Sequence, residues 1–71
     1  MFEIKQKKIL NAKLEELNMN LENNYKDLAH KALREYGEVL ENMRADLKEK
    51  TYNKYKEIET EYINRLSDYH H

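Results

Sequence analysis

The stretch Leu10–Leu47, LNAKLEELNMNLENNYKDLAHKALREYGEVLENMRADL, decides the fold. Apolar residues fall at Leu10, Leu14, Leu17, Leu21, Tyr25, Leu28, Ala32, Tyr36, Val39 or Leu40, Met43 and Leu47. Steps of three and four keep side chains on one face of a helix, whereas a strand would alternate by two. The same positions also group by eleven: Leu10, Leu21, Ala32 and Met43 form one series, Leu14, Tyr25, Tyr36 and Leu47 a second, and Leu17, Leu28 and Val39 a third. Eleven residues over three turns is about 3.67 per turn, close to the relaxed helix, so the stripe lies nearly parallel to the axis or winds gently right-handed. A turn would free the two sides to choose unrelated phases, yet the phase holds throughout. The spacing therefore predicts one long helix of about 56 Å.

Length and composition narrow what such a stripe is for. A chain of 71 residues makes at most one domain, and chains this small rarely bury enough apolar surface without a staple, a metal or a partner. With no cysteine, disulfides and thiolate zinc sites are excluded. Charged residues at 38%, apolar residues at 39%, a single glycine and no proline are the balance of long amphipathic helices and not of a loop-rich domain. Disorder is the competing reading of so polar a chain, but disordered segments lack the leucine content and the periodicity found here.

Thirteen basic and fourteen acidic residues nearly cancel, and residues 1–22 and 23–50 are each locally balanced. No basic face for a phosphate backbone is present, so nucleic acid is not expected as the main ligand. No apolar run reaches membrane-spanning length and no signal-peptide pattern opens the chain, which sets a soluble, cytoplasmic protein as the expectation.

Three candidate breaks interrupt the helical reading. The first is Asn20–Asn24, the most helix-averse stretch, where Asn24 followed by Asp27 resembles a loose N-cap box; a continuous helix and a break stand equally here. The second is Gly37, which suits either a hairpin or a glycine tolerated inside a helix so that another helix approaches closely; the second reading is preferred, since no cap residue or second turn residue accompanies it. The third is residues 48–53, where the stripe slips by one position and a new one begins through Tyr55, Ile58, Tyr62, Leu66 and Tyr69, with Tyr55, Tyr62 and Tyr69 seven apart and Thr51 or Asn53 placed to cap. Between the first and third breaks, the apolar side of the chain is broad enough to meet two neighbouring helices.

No residue pattern carries chemistry. Asp27 with His30, and Asp68 with His71, have the spacing of half a di-metal site in a helical bundle, but lack the further inward-facing carboxylates such sites use. His70 and His71 read as a tag remnant, and His30 as a solvated or half-buried helix residue. Glu57, Glu59 and Glu61 alternate by two, which spreads them around a helix and pairs none as acid and base. Ser67 has no base at a recognisable spacing. The six tyrosines lack the interleaved positive charge of a nucleic-acid stacking platform and read as packing residues. Lys5, Lys7 and Lys8 fall short of a lipid-binding cluster and read as the first turns of a helix.

The expectation is an all-α protein of long amphipathic helices, in a coiled-coil-like or helical-bundle assembly. It would be a non-enzymatic structural or interaction module, without cofactor or metal, that associates with itself or with a partner helix. The expected anchors are Leu14, Leu17, Leu21, Tyr25, Leu28, Tyr36, Leu40, Met43 and Leu47. Two alternatives accompany it: a monomeric three-helix bundle acting as an adaptor or inhibitor, and an amphipathic helix on a lipid surface.

Overall fold

The computed structural model describes residues 2–67, an all-α bundle of three helices packed against each other. Helix α1 spans Phe2–Glu22, α2 spans Lys26–Asn42 and α3 spans Glu49–Ser67, with a single 3-10 turn at Arg44–Asp46 between the last two. The chain runs up, down and up again, within an envelope of 42 × 17 × 15 Å. Asp68, Tyr69, His70 and His71, which carried the second Asp/His pair, the tag reading and the end of the tyrosine heptad, lie outside the described residues.

The single long helix expected over Leu10–Leu47 does not form, and the reason is local. Asn24 adopts φ 62°, the left-handed conformation that few residues other than glycine and asparagine tolerate. Around it the Asn24 N–H donates to Leu21 O at 3.1 Å and the Tyr25 N–H donates to Asn20 O at 2.8 Å. This pair of bonds is the Schellman closure of a helix C-terminus. Asn24 thus ends α1 where the sequence suggested that it opens α2; the N-cap of α2 is Tyr25, which makes no side-chain cap bond.

Gly37 is not a break, for it lies inside α2. A methyl placed on it would stand 2.5 Å from Oε2 of Glu59, so the glycine lets a side chain of α3 lie close against α2. The third break exists but sits earlier than residues 48–53. Chain direction changes through Met43, the 3-10 turn and the extended Leu47 (φ −111°, ψ 146°), and α3 is under way by Glu49.

Three-fold packing follows from the breadth of α2, which buries Ala29, Ala32, Leu33, Tyr36 and Leu40. Leu10 and Leu17 of α1 and Tyr55 and Leu66 of α3 complete the core. Helix α1 lies closest to α2, and α3 joins them at a larger backbone separation. Val39, Met43, Leu47, Ile58 and Tyr62 are among the partly buried residues around that centre.

Leu40 is fully enclosed, so Leu40→Ala is expected to cost about 2–5 kcal/mol of unfolding free energy in urea titration, whereas Lys31→Ala on the exposed side stays within about 0.5 kcal/mol. Gly37→Ala is expected to act oppositely, adding about 0.5–1 kcal/mol, because the methyl meets only the free end of a glutamate that can rotate away. A thermal melt in which Gly37→Ala lowers the midpoint would show that the Glu59 carboxylate is rigidly held.

Candidate interaction surface

The nine expected anchors separate into three groups. Leu17, Tyr36 and Leu40 are fully buried within the chain's own core. Leu14, Leu21, Met43 and Leu47 are half-buried and packed against it. Tyr25 and Leu28 remain 54% and 50% exposed. Both line one open depression at the α1–α2 turn, together with Asn24, Lys26 and Asp27.

The exposure of Leu28 has a geometric origin. With α2 starting at Lys26, Ala29 takes the inward place that the eleven-residue series had assigned to Leu28. The buried or core-packed positions therefore pass from Leu21 to Ala29 across the turn, with Tyr25 and Leu28 left exposed between them. Ile4, Ile9, Met19 and Ile63 are also exposed. Of these, Met19 and Ile63 belong to the helix ends nearest the α1–α2 turn.

Tyrosine hydroxyls hold α3 in place. The Tyr55 hydroxyl donates to Oδ1 of Asn11 at 2.9 Å, and one heptad further along, the Tyr62 hydroxyl donates to Oδ1 of Asn18. Asn11 and Asn18 thus stand at the edge of α1 toward α3. From α2, the Tyr36 hydroxyl donates to the carbonyl of Tyr55 at 2.6 Å in the buried centre. Burial, reinforced by the charge of Glu59, raises the Tyr36 phenol well above its ordinary value, which keeps it a donor.

A polar network closes the outer seam between α2 and α3. The Tyr52 hydroxyl donates to Oε2 of Glu41 at 2.5 Å, Lys56 Nζ lies 3.5 Å from the same oxygen and 2.9 Å from Oε1 of Glu59, and the Arg44 guanidinium sits 4.6 Å from the centre of the Tyr52 ring. The Tyr52 hydrogen bond holds Glu41 below the usual carboxylate range, and its partner carboxylates raise Lys56. The depression beside this seam is open and lined largely by charged groups, including Arg34, Glu38, Glu41 and Glu59. Of these, Glu41 and Glu59 are both paired with Lys56, in the manner of a structural network.

Glu3 performs a task that no local pattern suggests. Its Oε2 accepts the Lys48 N–H at 2.6 Å and its Oε1 accepts the Thr51 hydroxyl at 3.1 Å. The carboxylate of the first helix therefore caps the N-terminus of the third, where a negative charge is favoured by the helix dipole. Thr51 contributes as a donor to that cap and not as the cap itself. Glu3 also pairs with Lys7 one turn along its own helix, at 3.9 Å.

Among the described residues, no three or more His, Cys, Asp or Glu side chains are grouped to hold a metal ion, and no helix is long and apolar enough to cross a membrane. Asp27 and His30 both stand exposed on α2. Comparison with protein-family models, curated proteins and solved structures finds no match. What the surface offers is thus argued from its own geometry.

The Lys48 N–H holds the Glu3 carboxyl below 4.5, its ordinary value. A carboxylate depressed in the folded state adds stability above its unfolded pKa and loses it as pH falls through the folded one. Melting the wild type and Glu3→Gln between pH 7 and pH 3 is expected to show a gap that is full at neutral pH, shrinks below about pH 4.5 and closes at the acid end. A gap independent of pH would mean that the Glu3 charge does not serve the cap.

Proposed function

We propose that the chain is a non-enzymatic protein-interaction module: a small three-helix bundle that serves as an adaptor or inhibitor through the apolar residues its own core leaves uncovered. The division of the anchors carries this reading. Leu17, Tyr36 and Leu40 are committed to the interior, while Tyr25 and Leu28 stand out around one depression. Tyrosine suits a surface that is wet when free and covered when bound, since its ring is apolar and its hydroxyl is not. The occupant that best matches such a site is an amphipathic helix of another protein, and the cytoplasm is the setting this reading assumes.

Association of a foreign helix along the whole stripe is disfavoured, because Leu17, Tyr36 and Leu40 would have to leave the core. The same holds for a lipid-surface helix, whose membrane-facing residues would be those now in the interior. Each buried leucine is worth about 1.5–3 kcal/mol, a cost that either alternative must offset.

Sedimentation equilibrium with circular dichroism, on wild type, Leu28→Asp and Leu17→Asp, tests the reading. The wild type is expected to be helical at one chain mass in the micromolar range. Leu28→Asp is expected to keep that helicity and Leu17→Asp to lose it, since a buried unpaired carboxylate is severely destabilising. Helicity that rises with concentration, together with equal damage from both substitutions, would overturn the adaptor reading and return the whole stripe to an intermolecular role.

A further inference from the structure

We infer that the α1–α2 turn is a hinge, and that a second copy of this chain can take the place of the first across it, giving a dimer in which α1 and α2 run on as one helix. Three observations carry this. The first is the unbroken phase in the sequence of Leu10, Leu14, Leu17, Leu21, Tyr25, Leu28, Ala32, Tyr36, Val39, Met43 and Leu47, which the hairpin does not require. The second is the chemistry of the turn, where the one left-handed residue is Asn24 and neither glycine nor proline prevents residues 23–25 from becoming helical.

The third is the register. Lys13 Nζ lies 3.3 Å from Oε1 of Glu35, and Asn20 Nδ2 donates to Leu28 O at 3.5 Å; both pairs centre on residue 24. Two straightened copies laid antiparallel would therefore remake each of these contacts between chains, with Asn24 of one copy facing Asn24 of the other. That is the self-complementary geometry a two-fold dimer needs. Helix α3 would keep its own α2 and meet the second copy's α1, so the bonds of Tyr55 and Tyr62 are remade as well. Tyr25 and Leu28, exposed at the turn of the single chain, would lie where the two copies cross and be covered there.

Because the helix contacts are the same in both forms, the hinge decides the balance between them. Asn24→Ala penalises the left-handed turn and favours straight helix, so it is expected to shift the monomer–dimer equilibrium toward the dimer by about tenfold or more. Asn24→Gly is expected to stay monomeric. A pair of spin labels distinguishes a swapped dimer from a docked one. Lys8→Cys and Asn42→Cys, both at exposed positions of a chain with no cysteine, carry the labels, and the labelled chain is diluted in unlabelled chain. Their separation is expected within roughly 20 Å in the hairpin and near about 50 Å along a straight helix.

The inference goes beyond the adaptor reading and does not rest on it, since a foreign helix at Tyr25 and Leu28 leaves the hairpin bent. An Asn24→Ala chain that stays monomeric into the millimolar range, that dimerises with the short separation retained, or that loses its helicity would overturn the hinge. None of these outcomes bears on whether Leu28→Asp keeps the single-chain fold.

Discussion

The bundle depends on one backbone reversal. An apolar stripe on a straight rod faces a single direction and cannot cover itself. Bent back at Asn24, the same stripe becomes two facing halves, with Leu10 and Leu17 opposed to Ala32, Tyr36 and Leu40. Placing a residue other than glycine in the left-handed region costs about 1–2 kcal/mol, and asparagine lies at the low end because its short polar side chain tolerates that conformation. Each leucine enclosed returns about 1.5–3 kcal/mol, so closing the hairpin outweighs the strain several times over. This is how a chain of 71 residues without cysteine forms a core.

The third helix is held by a different kind of force. It fully buries only Tyr55 and Leu66 among its described residues, and its backbone stands further from α1 than that of α2 does. Tyrosine spans that gap, with its ring in the apolar layer and its hydroxyl on an acceptor of the opposite helix. A net hydrogen bond contributes only about 0.5–1.5 kcal/mol, so these bonds add modestly to stability. Their larger effect is on register. Asn11 and Asn18 repeat at the spacing of Tyr55 and Tyr62, so sliding α3 by one turn would unpair both at once and also withdraw Lys48 from Glu3.

Helical class, the breadth of α2 and the separate stripe of α3 were legible in the spacing of apolar residues, because burial on a helix is an angular property that spacing records. The preferred reading of Gly37 was legible for a related reason: nothing beside it could cap or turn. The Asn24 reversal was half legible: the asparagine-rich stretch marked Asn20–Asn24 as a candidate break, where α1 does end, without deciding between a break and a continuous helix. A three-and-four pattern is equally satisfied by a rod facing a neighbour and by a hairpin facing itself, and the Schellman closure that decides between them is made by backbone groups. The roles of Glu3, Asn11 and Asn18 were hidden by distance along the chain, since Glu3 acts on Lys48 and Asn11 on Tyr55. Assigning such polar residues to the outside is correct for exposure and silent on which neighbour they reach. Only the second half of that information fixes the fold.

The same reversal also explains where an apolar surface is left over. A residue at a helix N-cap lies outside the regular spiral, so Tyr25 cannot continue the stripe on which it falls in sequence. Starting α2 at Lys26 then turns Ala29 inward and Leu28 outward. The exposed pair is thus a product of turn geometry, in a chain whose other stripe residues are buried or half-buried. Charge does not compete with it for control of association, because the two signs nearly cancel and the ion pairs stand largely in solvent, where they are worth little. Short-range apolar contact, at exposed side chains such as Tyr25 and Leu28, is therefore what the folded chain has left to offer. Under the adaptor reading proposed above, an occupant of that surface would be selected by shape and apolar fit at the turn, with the bundle as the frame that presents it.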